Sequence, residues 1–258
     1  MHTDEVQEFL KTVIETSESR RKTLKKGQIL ARAQRGSEPR LERQGEDEFY
    51  VDGAYSPERM KPKAELVGDG RVNPRGIPCL YLADNRKTAM AEVRPWLGSY
   101  VSVAQFKVIR DCEIVDCSMD KKRGVTFVFT ATGELREREL DNPAETEAGV
   151  WGDIDKAFST PVGADEPHIE YVPTQVLAEA FRRHGYDGIV YKSLLNGGGV
   201  NIALFDLRAA DPMNPTFLYE VSSVLFDFKW IDTTHFQGKH YPEFKDEQGE
   251  VESSAAEG

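Results

Sequence analysis

The spacing of apolar side chains predicts a helix and then a strand at the start of the chain. Apolar residues recur at intervals of three and four between residues 6 and 14, as on one face of an amphipathic helix. The segment QILARAQ, residues 28–34, then alternates apolar and polar positions as a half-buried strand does. Residues 36–70 show no sustained period and are rich in Gly, Pro, Glu and Arg, so we expect a long irregular segment there.

Short strands and one capped helix are predicted in the middle of the chain. The strand-type runs are PCLYLA (78–83), YVSVAQFKVI (100–109) and CEIVDC (112–117). Asp84 or Asn85 can cap a helix that Pro95 ends. Residues 119–150 are polar and indicate an insertion or a mobile loop, and residues 153–158 favour a short helix.

In the C-terminal part, the sequence predicts a helix, a strand, a turn and a second strand, in that order. Thr174 is a suitable N-cap for a helix that ends before Gly185. DGIVYKS (187–193) and VNIALFD (200–206) favour buried strands on either side of the turn NGGG. A strand-rich segment over residues 216–230 closes the predicted core. Because helices and strands follow no regular βαβ order, the fold class is predicted to be α+β.

Composition and charge exclude several classes of protein. The net charge of −11 disfavours nucleic acid as a partner, because an acidic chain repels phosphate backbones. No apolar stretch approaches the roughly 20 residues of a membrane span. The acidic N-terminus lacks the pattern of a signal peptide, and three scattered cysteines form no disulfide framework. We therefore expect a cytoplasmic protein that binds neither nucleic acid nor membrane.

The familiar motifs of phosphate-loop, zinc and serine-hydrolase chemistry are absent from the sequence. The five histidines show no metal-ligand spacing, and the GGG run lacks the Lys and Ser/Thr of a phosphate-binding loop. No metal and no cofactor are predicted. The remaining candidates are sites built from carboxylate, hydroxyl and guanidinium groups.

Three segments together resemble the RES-domain family, which is named for its Arg, Glu and Ser. The segments are GRVNPRGIPCLYLA (70–83), TAMAEVRPW (88–96) and YDGIVYKSLLNGGGVNIALF (186–205). The matching positions are Arg71, Glu92 and Ser193, and the strand that carries Arg32 also fits. The resemblance implies an ADP-ribosyltransferase-like fold, in which helices flank a central split β-core.

The domain organisation follows from the extent of this resemblance. We expect a RES-like catalytic domain over residues 28–230, with an insertion at about residues 119–150. Residues 1–27 are then an N-terminal helical extension, and residues 231–258 form an acidic tail that is predicted to be disordered.

The resemblance also implies an activity and a set of site residues. Family members characterised as toxins cleave NAD at the nicotinamide–ribose bond, with inorganic phosphate as acceptor, and an antitoxin with a helix-turn-helix domain neutralises them. It implies Arg71, Tyr81 and Glu92 as catalytic residues and Arg32 and Ser193 as substrate-binding ones. Asn201 is a further candidate for the lining of the pocket.

The chemistry of these residue types is compatible with that reaction. Nicotinamide leaves NAD as a neutral molecule, so no general acid is needed. A fixed carboxylate such as Glu92 can stabilise the positive, oxocarbenium-like ribose that forms. An arginine fork at Arg71 or Arg32 can hold a phosphate group, and the ring of Tyr81 can stack on nicotinamide.

Other interpretations of the same residues stay open at the level of sequence. Glu92 alone could be a solvated helix carboxylate, Arg71 a surface ion pair and Tyr81 a core residue. Water could replace phosphate as the acceptor. The chain could instead transfer ADP-ribose to a macromolecule, or merely bind NAD or a partner protein. A homo-oligomer is also compatible with the sequence.

Overall fold

A nine-stranded mixed sheet lies at the centre of the protein in a computed structural model of the 258-residue chain. The residues described by the structure are 3–119, 127–129, 135–137, 143–160 and 167–226. The predicted tail, residues 231–258, lies outside the described residues, and so does part of the predicted insertion. Residues 3–224 belong to one compact unit; of the second unit, residues 225–258, the structure describes only Leu225 and Phe226.

Four α-helices and thirteen strands are assigned within the described residues. The helices are α1 (Thr3–Ser17), α2 (Arg86–Glu92), α3 (Pro143–Ser159) and α4 (Pro167–Arg183). The first seven strands are β1 (Arg21–Leu24), β2 (Ile29–Arg35), β3 (Glu38–Gln44), β4 (Asp47–Gly53), β5 (Leu80–Ala83), β6 (Tyr100–Val108) and β7 (Cys112–Asp116). The remaining strands are β8 (Phe127–Phe129), β9 (Leu135–Glu137), β10 (Gly188–Lys192), β11 (Val200–Leu204), β12 (Ala210–Pro212) and β13 (Phe217–Glu220).

The central sheet is almost divided into two halves. Its strand order is β1-β7-β10-β11-β5-β2-β6-β12, with β13 also paired to β6. Only β7 and β10 run parallel to each other, and all other neighbours are antiparallel. Between β5 and β2 the register consists of the single pair Ala31 and Ala83. The two halves therefore diverge at this point, which opens a cleft beside Arg32 and Tyr81.

Apolar clusters cover both faces of this sheet. On one face, Trp151, Phe158 and Phe181 from α3 and α4 pack against Ile189, together with Val13 of α1. The opposite face has a second cluster, which includes Leu30, Met60, Leu80, Phe106 and Leu204. The predicted α+β class with flanking helices is confirmed.

Several predicted elements are confirmed in detail. The predicted first helix is α1, and QILARAQ, PCLYLA, YVSVAQFKVI and CEIVDC contain β2, β5, β6 and β7. Asn85 is the residue that caps α2, where its side chain accepts a hydrogen bond from the amide of Thr88 at 2.9 Å. Gly185 follows α4 with a positive φ of 95°. No helix in the described ranges is both long and apolar enough to cross a membrane.

Other predicted elements are wrong, for physical reasons. Residues 36–70 are not irregular throughout, because β3 and β4 pair as a hairpin within them. Most residues of that hairpin are exposed, so it lacks the alternation by which a strand is recognised. Thr174 is not an N-cap: α4 begins at Pro167, and the Thr174 hydroxyl donates to the carbonyl of Tyr171 inside the helix. Pro173 lies inside α4, where proline is normally disfavoured, so the sequence alone indicates a later start.

Two more elements differ from their predicted extent. α3 spans seventeen residues, far more than the predicted residues 153–158. β1 lies within the predicted helical extension and pairs with β7 at the edge of the sheet. In the predicted strand-rich segment 216–230, β13 is the described strand, and residues 227–230 lie outside the described residues. The domain boundaries at residues 27 and 230 stay predictions.

Candidate active site

The carboxylate of Glu92 is held by two hydrogen bonds to the same oxygen. Glu92 is the last residue of α2, where its charge opposes the helix dipole. Its Oε1 accepts from the hydroxyl of Ser193 at 2.7 Å and from the side-chain amide of Asn201 at 2.8 Å. Both donors are only 5% exposed. Two charge-assisted hydrogen bonds of this kind fix the orientation of the carboxylate.

The hairpin that supplies these donors is packed tightly on α2. The side-chain amide of Asn196 donates to the hydroxyl of Thr88 at 2.8 Å. A Cβ added to Gly199 would lie 2.1 Å from the same hydroxyl oxygen, so only glycine allows this approach. α2 in turn packs through Ala89 on the alanines of β2. This packing fixes the position of α2, and therefore of Glu92, relative to the hairpin.

Tyr81 holds the loop that carries Arg71. Its hydroxyl donates to Oδ1 of Asn73 at 2.7 Å and accepts from the amide of Val72 at 3.0 Å. Burial raises the pKa of Tyr81 well above its usual value of 10, so the phenol stays a neutral donor. The side-chain amide of Gln175 closes the loop from α4, with bonds to the carbonyls of Gly70 and Asn73 at 2.9 and 3.0 Å.

Arg71 and Arg32 line the same cavity and are each bound to a backbone carbonyl. The guanidinium of Arg71 donates to the carbonyl of Phe158 at the end of α3. That of Arg32 donates to the carbonyl of Tyr81 at 2.9 Å, whereas its buried Nε has no partner among the described residues. Burial lowers the pKa of Arg32 to about 10, so the side chain remains a cation at neutral pH.

A cavity of about 950 Å³ connects these side chains. Five of the six predicted site residues line it, namely Arg32, Arg71, Tyr81, Glu92 and Asn201. Ser193 does not line it, and its hydroxyl donates to Glu92. Its binding to substrate stays a prediction. Among the described residues, no group of three or more His, Cys, Asp or Glu side chains could hold a metal ion.

Sequence reasoning missed several residues of this cavity. Tyr191 lines it and is 4% exposed, and burial raises its pKa above its usual value. The charges of Arg71 and Glu92 both act on this phenol. Tyr191 precedes Ser193 by two residues, and this same-face spacing is a signal that could have identified it. Arg59 also lines the cavity, and no motif in the sequence marks it.

Comparison with known proteins identifies the family of this chain. The family model described as RES domain matches residues 40–222, which is more than half of the chain. The chain belongs to the RES-domain family. Among the predicted site residues, the matched range contains Arg71, Tyr81, Glu92, Ser193 and Asn201 and leaves out Arg32.

Other comparisons add little to the RES-domain assignment. No curated protein matches the chain. Among solved structures, the crystal structure of the M. tuberculosis MbcT-MbcA toxin-antitoxin complex shares 16% identity with it and has a TM-score of 0.41. The alignment covers 81% of this chain and 93% of that one. At this distance, nothing about the activity of the present RES-domain chain follows from the likeness.

Proposed function

We propose that this RES-domain chain cleaves NAD at the bond between nicotinamide and ribose, with inorganic phosphate or water as the acceptor. One observation carries the proposal: the Glu92 carboxylate is held by Ser193 and Asn201 at the wall of a cavity that also contains Arg32, Arg71 and Tyr81. A volume of about 950 Å³ is at the upper end of the range for small-molecule sites.

The proposed reaction needs stabilisation of positive charge more than it needs a proton donor. The bond from the ribose carbon to the ring nitrogen breaks, and its electron pair goes to that nitrogen, so that nicotinamide leaves as a neutral molecule. Positive charge then develops on the ribose, where a carboxylate in a fixed position stabilises it. The two hydrogen bonds to Oε1 hold the Glu92 carboxylate in place before the reaction begins, so no reorganisation is required.

The arginines supply the anion-binding part of the proposed site. Arg32 and Arg71 are anchored by backbone carbonyls, which orient a guanidinium without neutralising it. A guanidinium fork binds a phosphate group in bidentate geometry. When phosphate is the acceptor, one of its oxygens forms the new bond to the ribose carbon, and the products are nicotinamide and a phosphorylated ADP-ribose. With water, a proton is released and the product is ADP-ribose.

Phosphorus NMR of the purified chain with NAD, with and without inorganic phosphate, tests the proposal. We expect phosphate-dependent loss of NAD and an ADP-ribose phosphate signal. Glu92→Gln should lower the rate by about 10²-fold or more, as for other preorganised electrostatic groups. Glu15→Gln is the matched control, because Glu15 is an exposed residue of α1 that pairs only loosely with Lys11 at 3.8 Å.

The products separate the possible activities. Plain ADP-ribose indicates hydrolysis, whereas ADP-ribose attached to a macromolecule indicates a transferase. Unchanged NAD with correctly folded protein contradicts the degradative proposal and leaves a binding role.

We further propose that the chain acts as a growth-inhibiting toxin, which an antitoxin protein restrains. Loss of NAD arrests metabolism, so expression of the wild-type chain in bacteria should deplete cellular NAD and stop growth. Expression of Glu92→Gln at the same level should do neither. Growth arrest by both proteins would show that toxicity does not depend on this carboxylate.

A further inference from the structure

The described lining of the cavity carries a large excess of positive charge. Six cationic side chains face two carboxylates. The cations are Arg32, Arg35, Arg59, Lys63, Arg71 and Arg94, and the carboxylates are Asp69 and Glu92. The whole chain carries a net charge of −11, so the charge of the cavity lining is opposite in sign to the net charge of the protein. Such a cavity attracts a ligand with more than one negative charge.

Arg59 is firmly anchored at one side of this cavity. The next residue, Met60, is fully buried in the core, and its amide donates to the carbonyl of Ser56 at 3.1 Å. The guanidinium of Arg59 donates to Oε1 of Gln34 at 2.9 Å and lies 4.7 Å from the ring centroid of Tyr55. Both contacts orient the guanidinium, and neither neutralises its charge.

Arg32 lies on the strand that binds Arg59. Arg32 and Gln34 are two residues apart on β2, so their side chains project from the same face, and Gln34 is the residue that binds Arg59. The charge of Arg59 acts on Arg32 and adds to the effect of burial in lowering its pKa. No described carboxylate pairs with either guanidinium, and the buried Nε of Arg32 has no described partner. An anion bound between the two guanidinium groups would relieve their repulsion.

We propose that Arg59 is a further substrate-binding residue, which forms a phosphate-binding subsite with Arg32. The subsite is distinct from the Glu92 carboxylate, and its occupant is a phosphate group. The source of that group rests on the proposed function: it is either the pyrophosphate of NAD or the inorganic phosphate acceptor.

Direct binding of anions tests the subsite without any turnover of NAD. Isothermal titration calorimetry with inorganic phosphate and with inorganic pyrophosphate is compared for wild type, Arg59→Gln and Arg59→Lys. Arg59→Gln should weaken the affinity for at least one anion by about 10-fold or more, since charge-assisted hydrogen bonds are lost. Arg59→Lys should retain part of the affinity, because it keeps the charge but not the fork.

The matched control is Arg43→Gln. Arg43 is an exposed arginine of the β3–β4 hairpin and is already paired with Glu48 at 2.7 Å, so its replacement should leave anion binding unchanged. If Arg59→Gln binds both anions as the wild type does, the subsite does not exist. If the wild type does not turn over NAD but Arg59→Gln has lost anion affinity, the proposed function is refuted and the subsite is supported.

Steady-state kinetics then identify the source of the phosphate group. If Arg59→Gln raises the KM for NAD alone, the subsite binds the pyrophosphate of NAD. If it raises the KM for phosphate alone, the subsite binds the acceptor. In either case kcat should change little.

A measurement on the wild type covers the case in which Arg59→Gln does not fold. Pyrophosphate or phosphate should slow the modification of Arg59 by phenylglyoxal, followed by peptide mass spectrometry. Modification at an equal rate with and without both anions would overturn the proposal.

Discussion

Removal of the donors that hold Glu92 should lower activity without unfolding the protein. Ser193→Ala deletes the hydroxyl that donates to Oε1 at 2.7 Å, and Asn201→Ala deletes the amide that donates at 2.8 Å. Ser193 is not part of the described cavity lining, so its effect on the rate should come through the position of Glu92.

The expected magnitude follows from the strength of these bonds. A hydrogen bond to a charged group contributes about 1.5–3 kcal/mol. At 1.36 kcal/mol per factor of ten, the loss of one bond corresponds to a rate decrease of about 10- to 150-fold, if the whole effect falls on the transition state. Both bonds end on one oxygen, so the loss of either one already loosens the position of the carboxylate. The double variant should therefore lose less than the product of the two single effects.

Initial rates of nicotinamide release for the two single variants and the double variant give the coupling energy between the two hydrogen bonds to Glu92. Ser118→Ala is a matched control, because the Ser118 hydroxyl also donates to a carboxylate, that of Asp116, and lies outside the described lining of the cavity. Thermal melting of each variant distinguishes a displaced Glu92 carboxylate from an unfolded protein. Wild-type rates in both single variants would refute the claim that these bonds position Glu92, and full additivity would refute their coupling.

Three further predictions concern the loop, the core and the surface. Gly70→Ala places a Cβ 2.6 Å from the Tyr81 hydroxyl and 2.7 Å from Oδ1 of Asn73, so it should displace the loop of Arg71 and lower the rate. Gly197→Ala is the control, because its Cβ meets nothing within 4 Å. Equal rates for the two variants would contradict this prediction. Trp151→Ala removes a fully buried ring stacked on Phe181 at 6.1 Å and should lower the free energy of unfolding in urea by about 3–5 kcal/mol; a loss below about 1 kcal/mol would show that the core relaxes into the space. Hydrogen bonds from Arg21 and then His184 lower the pKa of the Glu18 carboxyl from 4.5 to about 2, so its stabilising contribution is present above pH 4.5 and is lost as the pH falls towards 2. Melting temperatures of Glu18→Gln should therefore fall less steeply than those of the wild type over this range, and the difference should shrink in high salt because the group is exposed; parallel curves would contradict the assignment.

The local pattern of apolar, polar and capping residues determined the strands and the helix that carry the site. β2 and β6 were predictable because apolar and polar residues alternate along them, and β5 was predictable because it is a short apolar run. α2 was predictable because Asn85 caps its first turn. The resemblance to the RES-domain family also indicated which residues to consider, and five of the six line one cavity.

Only the tertiary structure decided how these residues divide their roles. Ser193 and Glu92 are 101 positions apart, and their hydrogen bond depends on the packing of the β10–β11 hairpin against α2. The β3–β4 hairpin was not predictable, because its exposed strands carry no periodic pattern. Arg59 follows that hairpin, and only the fold brings it beside Gln34 and Arg32. Local patterns record which face of an element is buried, whereas the approach of residues distant in sequence depends on the packing of the whole chain.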